Sequence, residues 1–478
     1  MTRLLFILLF SCQLVMAGAL PQTVSQAVAR GDFAIAQRMI RALLVDSALP
    51  AADAWALSFE NDRLDRIRRD FSLSREEVMT KLKKYYPDLT DHQLDDLEKA
   101  RSLEFMVIDG QKRYFDSAVP NLFLIDPEAR RRKEAVDGPS RNRLEEFLSH
   151  HVPAILTESR SSTSHRVNPV RMKLHYTVTV KADAVPDGEI IRCWLPYPRE
   201  DHSRQTDVRL ISVNTPEYII SGSEHPQRTI YLEQRCVQGK PTIFVLDVAF
   251  TSFAETHEIF GEGKEKGDAH RDQIYAEYTA ERPPHIRFTD EIKALSRSIV
   301  GEEQDPLKKA RLIFAWLSRN VPWASAREYS TIPDLSTYCA ENRHGDCGIQ
   351  TMLFMTLCRL NGIPAKWQSG WMLHPVDVNL HDWGEIYVDG IGWVPADQSF
   401  GLQNSGDERV QYFYLGGIDS YRMIVNDDFD VPLYPAKIYP RSETVDFQRG
   451  EVEWRGGNLY FDKWRYKMGV EYRTPNQK

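Results

Sequence analysis

No stretch of this chain carries five or more like charges in a row, and its 478 residues hold a formal net charge of -8. A nucleic-acid partner calls for a basic face, so the charge pattern excludes DNA and RNA as partners. There is no C-x-x-C pair to supply paired thiolate ligands, and the Asn426, Asp427, Asp428 and Asp430 of NDDFD lack the loop spacing of an EF-hand. That stretch reads as a solvated turn, and no metal and no cofactor are expected. No segment beyond the first residues is apolar enough to cross a membrane. Internal repeats and low-complexity tracts are also missing.

What is present suits an ordinary globular protein of two or three domains, with 42% hydrophobic and 27% charged residues. The opening MTRLLFILLFSCQLVMAGAL places Arg3 before an apolar run from Leu4 to Val15 and small residues at Ala17, Gly18 and Ala19. That is the layout of a cleavable secretory signal over residues 1–19, so a periplasmic or extracellular protein is expected. Lipid anchoring at Cys12 is disfavoured, because Phe10 fits poorly before it and the apolar run continues past it. Five cysteines remain beyond the signal, an odd number that leaves a thiol unpaired. Cys193 and Cys236 share a strand-rich region and are expected to bridge. Cys358, three helical turns past Cys347, suits burial.

Residues 20–125 read as a mainly helical region with a β-hairpin. Ser74 with Glu77 and Thr90 with Gln93 form capping boxes, and Asp109-Gly110 stands between two short apolar runs. Residues 126–165, rich in charge, read as a linker containing one helix. From 166 to 260 short β-branched and aromatic runs alternate with turn residues, which predicts a β-sandwich. Asp305-Pro306 then opens a helix in residues 261–425, where helices followed by strands give an α+β pattern. Residues 426–478 read as C-terminal strands packed on that core, with Trp454, Tyr460, Trp464 and Tyr466 among them.

The chemistry concentrates in two blocks. HGDCGIQ, residues 344–350, puts Cys347 at the start of an apolar helix, where unpaired backbone N–H groups and the positive dipole end lower a thiol pKa. HDWGEIYVDGIGWVPADQSFG, residues 381–401, is a strand, a turn and a strand, carrying His381 on one arm and Asp397 on the other. An imidazole can take a thiol proton and return it to a leaving amine while a carboxylate holds the ring. Positions 381 and 397 have the same parity, so they share a face only across an odd loop or a bulge. A strict two-residue turn at Gly390-Ile391 would put Asp397 on the wrong face.

Gly345-Asp346-Cys347, His381-Asp382-Trp383-Gly384-Glu385 and Gly392-Trp393-Val394-Pro395-Ala396-Asp397, in that order, resemble the blocks of the transglutaminase-like superfamily. LCRLNGIPAKWQSGW, residues 357–371, fits the segment between them, and the resemblance covers about residues 286–402. It implies a papain-like core with a Cys347, His381, Asp397 triad and an oxyanion hole using the Cys347 N–H. Trp323 and Trp383 are the candidates for a further donor or for lining the substrate. The implied activity is acyl transfer on an amide of a protein or peptide, cell-wall peptide included. Hydrolysis, as by a cysteine peptidase or amidase, is favoured because nothing suggests a dedicated amine-acceptor tunnel. Glutamine–lysine crosslinking is the alternative, and a non-catalytic binding or scaffold protein the reading from another class. Peptide N-glycan removal is disfavoured by the missing C-x-x-C pairs.

Overall fold

The computed structural model describes residues 18, 20–259 and 270–473, so the expected signal sequence and Cys12 lie outside the described residues. Helices α1 (Gln22–Ala29), α2 (Phe33–Leu43), α3 (Ala51–Asp70), α4 (Arg75–Leu82) and α5 (Asp91–Lys99) lead into the hairpin β1 (Phe105–Ile108) and β2 (Gln111–Tyr114). Both capping boxes form, Ser74 with Glu77 before α4 and Thr90 with Gln93 before α5. Asp109 and Gly110 both take positive φ, 51° and 79°, as a two-residue hairpin turn requires. Helices α6 (Ala118–Ile125) and α7 (Pro127–Asp137) complete this module, whose own core runs from Val24 to Ala129.

The expected linker is corrected. Residues 126–165 hold α7 and a second, longer helix, α8 (Arg143–Ser161). Asn142 caps α8 by accepting from the Glu145 N–H. Its Leu148, Val152, Ile155 and Leu156 lie on one helical face and are buried in the core of the 261–425 region. The charged composition of the segment describes only the outward faces of these helices.

Strands β3 (Arg166–Val180), β4 (Ile190–Pro196), β5 (Gln205–Val213), β6 (Tyr218–Ile220), β7 (Thr229–Arg235) and β8 (Thr242–Thr256) follow. Next come α9 (Arg271–Tyr278), α10 (Asp290–Val300), α11 (Pro306–Asn320), α12 (Leu335–Asn342) and α13 (Cys347–Leu360). Asp305 caps α11 through the Leu307 and Lys308 N–H groups, with Pro306 at the first helical position. The chain continues through β9 (Ala365–His374), β10 (Asp377–Val388), β11 (Gly392–Ala396), α14 (Glu408–Gln411), β12 (Gly417–Ile418) and β13 (Arg422–Asn426). It closes with β14 (Glu451–Trp454), β15 (Gly457–Asn458) and β16 (Trp464–Arg473). The fold is α+β, with α13 packed on an antiparallel sheet of order β11-β10-β9-β13.

The C-terminal strands do not simply pack on the core of the 261–425 region, which is a second correction. β16 pairs β3 from Trp464 opposite Val180 to Arg473 opposite Arg171, and β14 pairs β4. Both sheets of the sandwich, β12-β8-β3-β16 with β5 on β8 and β15-β14-β4-β7-β6, are therefore completed from the end of the chain. Without β16 one side of β3 would present a row of unpaired backbone groups. The sandwich core also takes in Trp371, Leu373, Met423 and Val425 from the β11-β10-β9-β13 sheet, so the two domains share one interior.

The expected Cys193–Cys236 bridge is absent: both thiols are free and buried. Cys193 stands opposite Leu232, whereas Cys236 follows β7 beyond Arg235, which pairs Ile190. Four residues along a strand is about 13 Å, well past the ~7 Å limit between the Cα atoms of a disulfide. The Cys236 thiol donates to the Pro186 carbonyl at 2.7 Å.

Candidate functional site

Cys347 is the first residue of α13, whose N-cap Asp346 accepts from the Ile349 N–H at 3.1 Å. A parallel bridge between Trp323 and Gly345, with the Ala324 N–H donating to the Gly345 carbonyl at 3.0 Å, lays the 323–329 segment along the helix start. Trp323 is 46% exposed and lines the same cleft as Cys347, so it is no core aromatic. The cleft is about 590 Å³ and is walled by Leu144 and Leu148 of α8, by His381 and by Phe400. A second lobe of about 390 Å³ shares Cys347 and Trp323 and is lined by Asp382, Asp446 and Tyr466. Tyr466 thus reaches the cleft, while Trp464 is buried in the sandwich.

The β10–β11 register pairs Val388 with Gly392 and Gly384 with Ala396, leaving Asp389, Gly390 and Ile391 as a three-residue loop. The odd loop keeps His381 and Asp397 on one face, and His381 Nε2 lies 2.8 Å from Asp397 Oδ2. Asp397 Oδ1 accepts from the Phe400 N–H at 3.1 Å. The His381 ring lies flat against Trp383 at 5.9 Å and meets the edge of Phe400 at 4.9 Å. Trp383 itself is fully buried, and its indole N–H donates to Gln368 Oε1 at 2.8 Å. It supports the histidine from behind and does not line the cleft, which corrects its candidate role.

Electrostatically the resting site differs from the activated thiol expected at a helix start. Burial, then Asp382 and Asp346, push the Cys347 thiol up, contrary to the lowering expected of a helix start. Burial also pushes His381 down, against the pull of Asp397. Burial alone would push Asp397 up, but His381 and Arg422 hold its carboxylate below the usual range. The resting pair is therefore a neutral thiol and a neutral imidazole. The thiol donates to Asp382 Oδ2 at 3.4 Å.

Several residues of this neighbourhood escaped sequence reasoning. Arg422 bridges Asp397 Oδ2 at 2.9 Å and Asp419 Oδ2 at 2.8 Å, and Asp419 Oδ1 stands 3.0 Å from His374 Nε2. Gln448, just before β14, donates to the His381 carbonyl at 2.8 Å and to Asp382 Oδ1 at 2.6 Å. Long-range partners leave no local signal, but strand alternation at His381-Asp382 could have placed Asp382 on the side facing α13. Of the NDDFD residues, Asn426 donates to Ser369 Oγ at 2.8 Å, Asp427 accepts from Lys366 at 3.1 Å and Asp428 pairs with Arg282. Among the described residues no cluster of three or more His, Cys, Asp or Glu is arranged to hold a metal.

Residues 293–398 match the model of the transglutaminase-like superfamily, and the chain carries a transglutaminase-like core there. Among curated proteins, a Haemophilus influenzae protein without an assigned function is 24% identical over 185 residues, 32% of this chain and 50% of that one. The chain thus spans about half the length of the curated relative it matches. Among solved structures, a candidate cysteine protease of Cytophaga hutchinsonii is 16% identical with a TM-score of 0.41, over 66% of this chain and 93% of that one. The periplasmic domain of TgpA from Pseudomonas aeruginosa is 15% identical with a TM-score of 0.25, over 50% and 90% of the two chains. Among the described residues no helix is long and apolar enough to cross a membrane.

Proposed function

We propose that this cleft performs acyl transfer on amides through Cys347, His381 and Asp397, with hydrolysis of a peptide or isopeptide bond as the outcome. The observation that carries the reading is a cysteine at a helix start opening on the same cleft as a histidine hydrogen-bonded to a buried aspartate. With Nε2 held by Asp397, Nδ1 of His381 is the nitrogen left to take the thiol proton. Sγ then attacks the carbonyl carbon, and the developing oxyanion meets the N–H groups at the start of α13, with the Trp323 indole as a second donor. His381 returns the proton to the departing amine, leaving a thioester on Cys347. Water, activated by the same imidazole, resolves the thioester to a carboxylic acid and regenerates the thiol. Proteins and peptides, cell-wall peptides included, are the substrate class, since the two lobes flanking Cys347 leave room for chain on either side.

Purified protein assayed against peptides, isopeptides and cell-wall fragments tests this, with Cys347→Ala as the blank. Cys347→Ala and His381→Ala should each abolish turnover. Asp397→Ala should keep partial activity, because orienting an imidazole is worth less than supplying the nucleophile. Full activity in Cys347→Ala would refute the mechanism, and amine incorporation outrunning hydrolysis would move the outcome to crosslinking.

A further inference from the structure

His381 and Asp382 are neighbours on β10 and leave it on opposite faces, and it is Asp382 that meets the nucleophile in the resting state, with Cys347 Sγ donating to its Oδ2 at 3.4 Å. The approach depends on Gly348: a Cβ there would stand 2.7 Å from Asp382 Oδ2 and 2.2 Å from the Tyr329 hydroxyl. That hydroxyl lies 2.8 Å from Asp346 Oδ1 and 3.3 Å from Asp382 Oδ2, and with a single proton it can donate to only one of them. Asp446 lines the same lobe as Asp382, and the two buried carboxyl groups act on each other's protonation. Two carboxyl groups bond to each other only when one carries a proton.

We propose that Asp382 and Asp446 form a proton-sharing carboxyl pair that restrains the Cys347 thiol in its neutral, resting form, on the face of β10 opposite His381. The pair is only 1% and 5% exposed. Burial, followed by Asp346, pushes Asp382 up to about 8, and Asp446 is raised by burial and by Asp382 in turn. The surroundings of the pair set the balance. Asp346 comes from the α13 cap, Tyr329 and Glu328 from the segment after Trp323, and Glu443 and Arg449 from the chain before β14. Arg449, bonded to Glu328 at 2.9 Å, and Arg441 both pull Asp446 back down without reversing its rise. A substrate carbonyl entering the cleft would draw Sγ off Asp382 and toward His381.

The inference deepens the reading of Cys347 as nucleophile and rests on it, but its test reads the thiol and not turnover. The pH dependence of Cys347 alkylation by iodoacetamide is measured on the folded protein, with Cys347→Ala subtracted; the other described cysteines are buried. Asp382→Asn removes the carboxylate charge beside the sulfur, so the midpoint should fall by about one unit or more and the rate at pH 7 should rise about tenfold, in step with the thiolate fraction. Asp446→Asn does the opposite. An amide donor replaces the shared proton, Asp382 carries a full charge beside the sulfur, and alkylation should slow. Loss of packing would speed both variants. Opposite shifts therefore support the restraint, and two shifts of the same sign, or none, overturn it. If Asp382→Asn fails to fold by circular dichroism, slowing in Asp446→Asn decides alone, and if Asp446→Asn fails, Asp446→Ser takes its place. A protein that turns over no amide but shows opposite shifts would sink the proposed function and leave the restraint standing.

Discussion

Arg422 shows how much a single side chain can carry. It is fully buried between Asp397 and Asp419, two carboxylates that are also fully buried, and its guanidinium lies 4.1 Å from the centroid of Phe400. Burial alone would push Asp419 up as it does Asp397, yet Arg422 and His374 hold it well below the ordinary carboxylate range. Replacing Arg422 with methionine keeps the volume but leaves two buried charges unmatched, which should cost about 3–5 kcal/mol. The sign with pH follows from the carboxylates. Their folded values lie below those of the unfolded chain, so their stabilisation is present above about pH 4 and is lost as pH falls through the folded values. The deficit of Arg422→Met should therefore be largest near pH 7 and shrink toward pH 3, as read by urea denaturation across that range. A deficit independent of pH would mean that Arg422 acts by packing alone.

At the scale of elements, the β10–β11 hairpin decides whether the site exists. Its loop of Asp389, Gly390 and Ile391 is odd in length, and a strand flips every side chain when the register slips by one. Deleting Gly390 should therefore turn Asp397 away from His381 and lower activity at least as far as Asp397→Ala. The far-ultraviolet circular dichroism and the labelling of Cys347 on α13 should be kept. Retained activity would mean that another group orients His381. The same hairpin shows what was legible in advance. Capping boxes at Ser74 and Thr90, the Asp109-Gly110 turn and the apolar helix behind Cys347 are set by neighbours a few residues apart, and local sequence carries them. Same parity at 381 and 397 narrowed the loop to odd lengths without choosing one. What escaped depends on distant chain: α8 hides its buried face within a charged segment, and β14 and β16 find partners in β4 and β3, over 200 residues earlier. The lowered thiol expected of a helix start at Cys347 is overturned by burial beside Asp382 and Asp346, which tertiary packing brings in.

Across the whole molecule, the helical module grips the segments that line the cleft. Asn121 of α6, 3% exposed, donates to the Ser325 carbonyl at 2.8 Å and accepts from the Ser325 N–H at 3.0 Å, two residues past Trp323. Further along the segment, Arg63 of α3 donates to the Thr331 carbonyl at 3.3 Å, and Glu104 meets Arg327 at 3.2 Å. Arg66 of α3 holds the Arg441 and Ser442 carbonyls at 3.0 and 3.1 Å, near Glu443 and Asp446 of the acidic lobe. These contacts make the module a clamp on the walls of the site, not an appendage to it. Asn121→Ala would leave the Ser325 N–H and carbonyl without their partner, a penalty of about 1–3 kcal/mol, and it would fall on the 323–329 segment rather than on the module's own core. Backbone amides of that segment should then exchange hydrogen faster, while those of α13 and the sandwich strands keep their protection. If Trp323 serves as an oxyanion donor, kcat should fall with little change in KM, because the donor acts in the transition state. Unchanged exchange at residues 323–329 would show that the bridge to Gly345 holds the segment alone, and the clamp would then have no part in shaping the cleft.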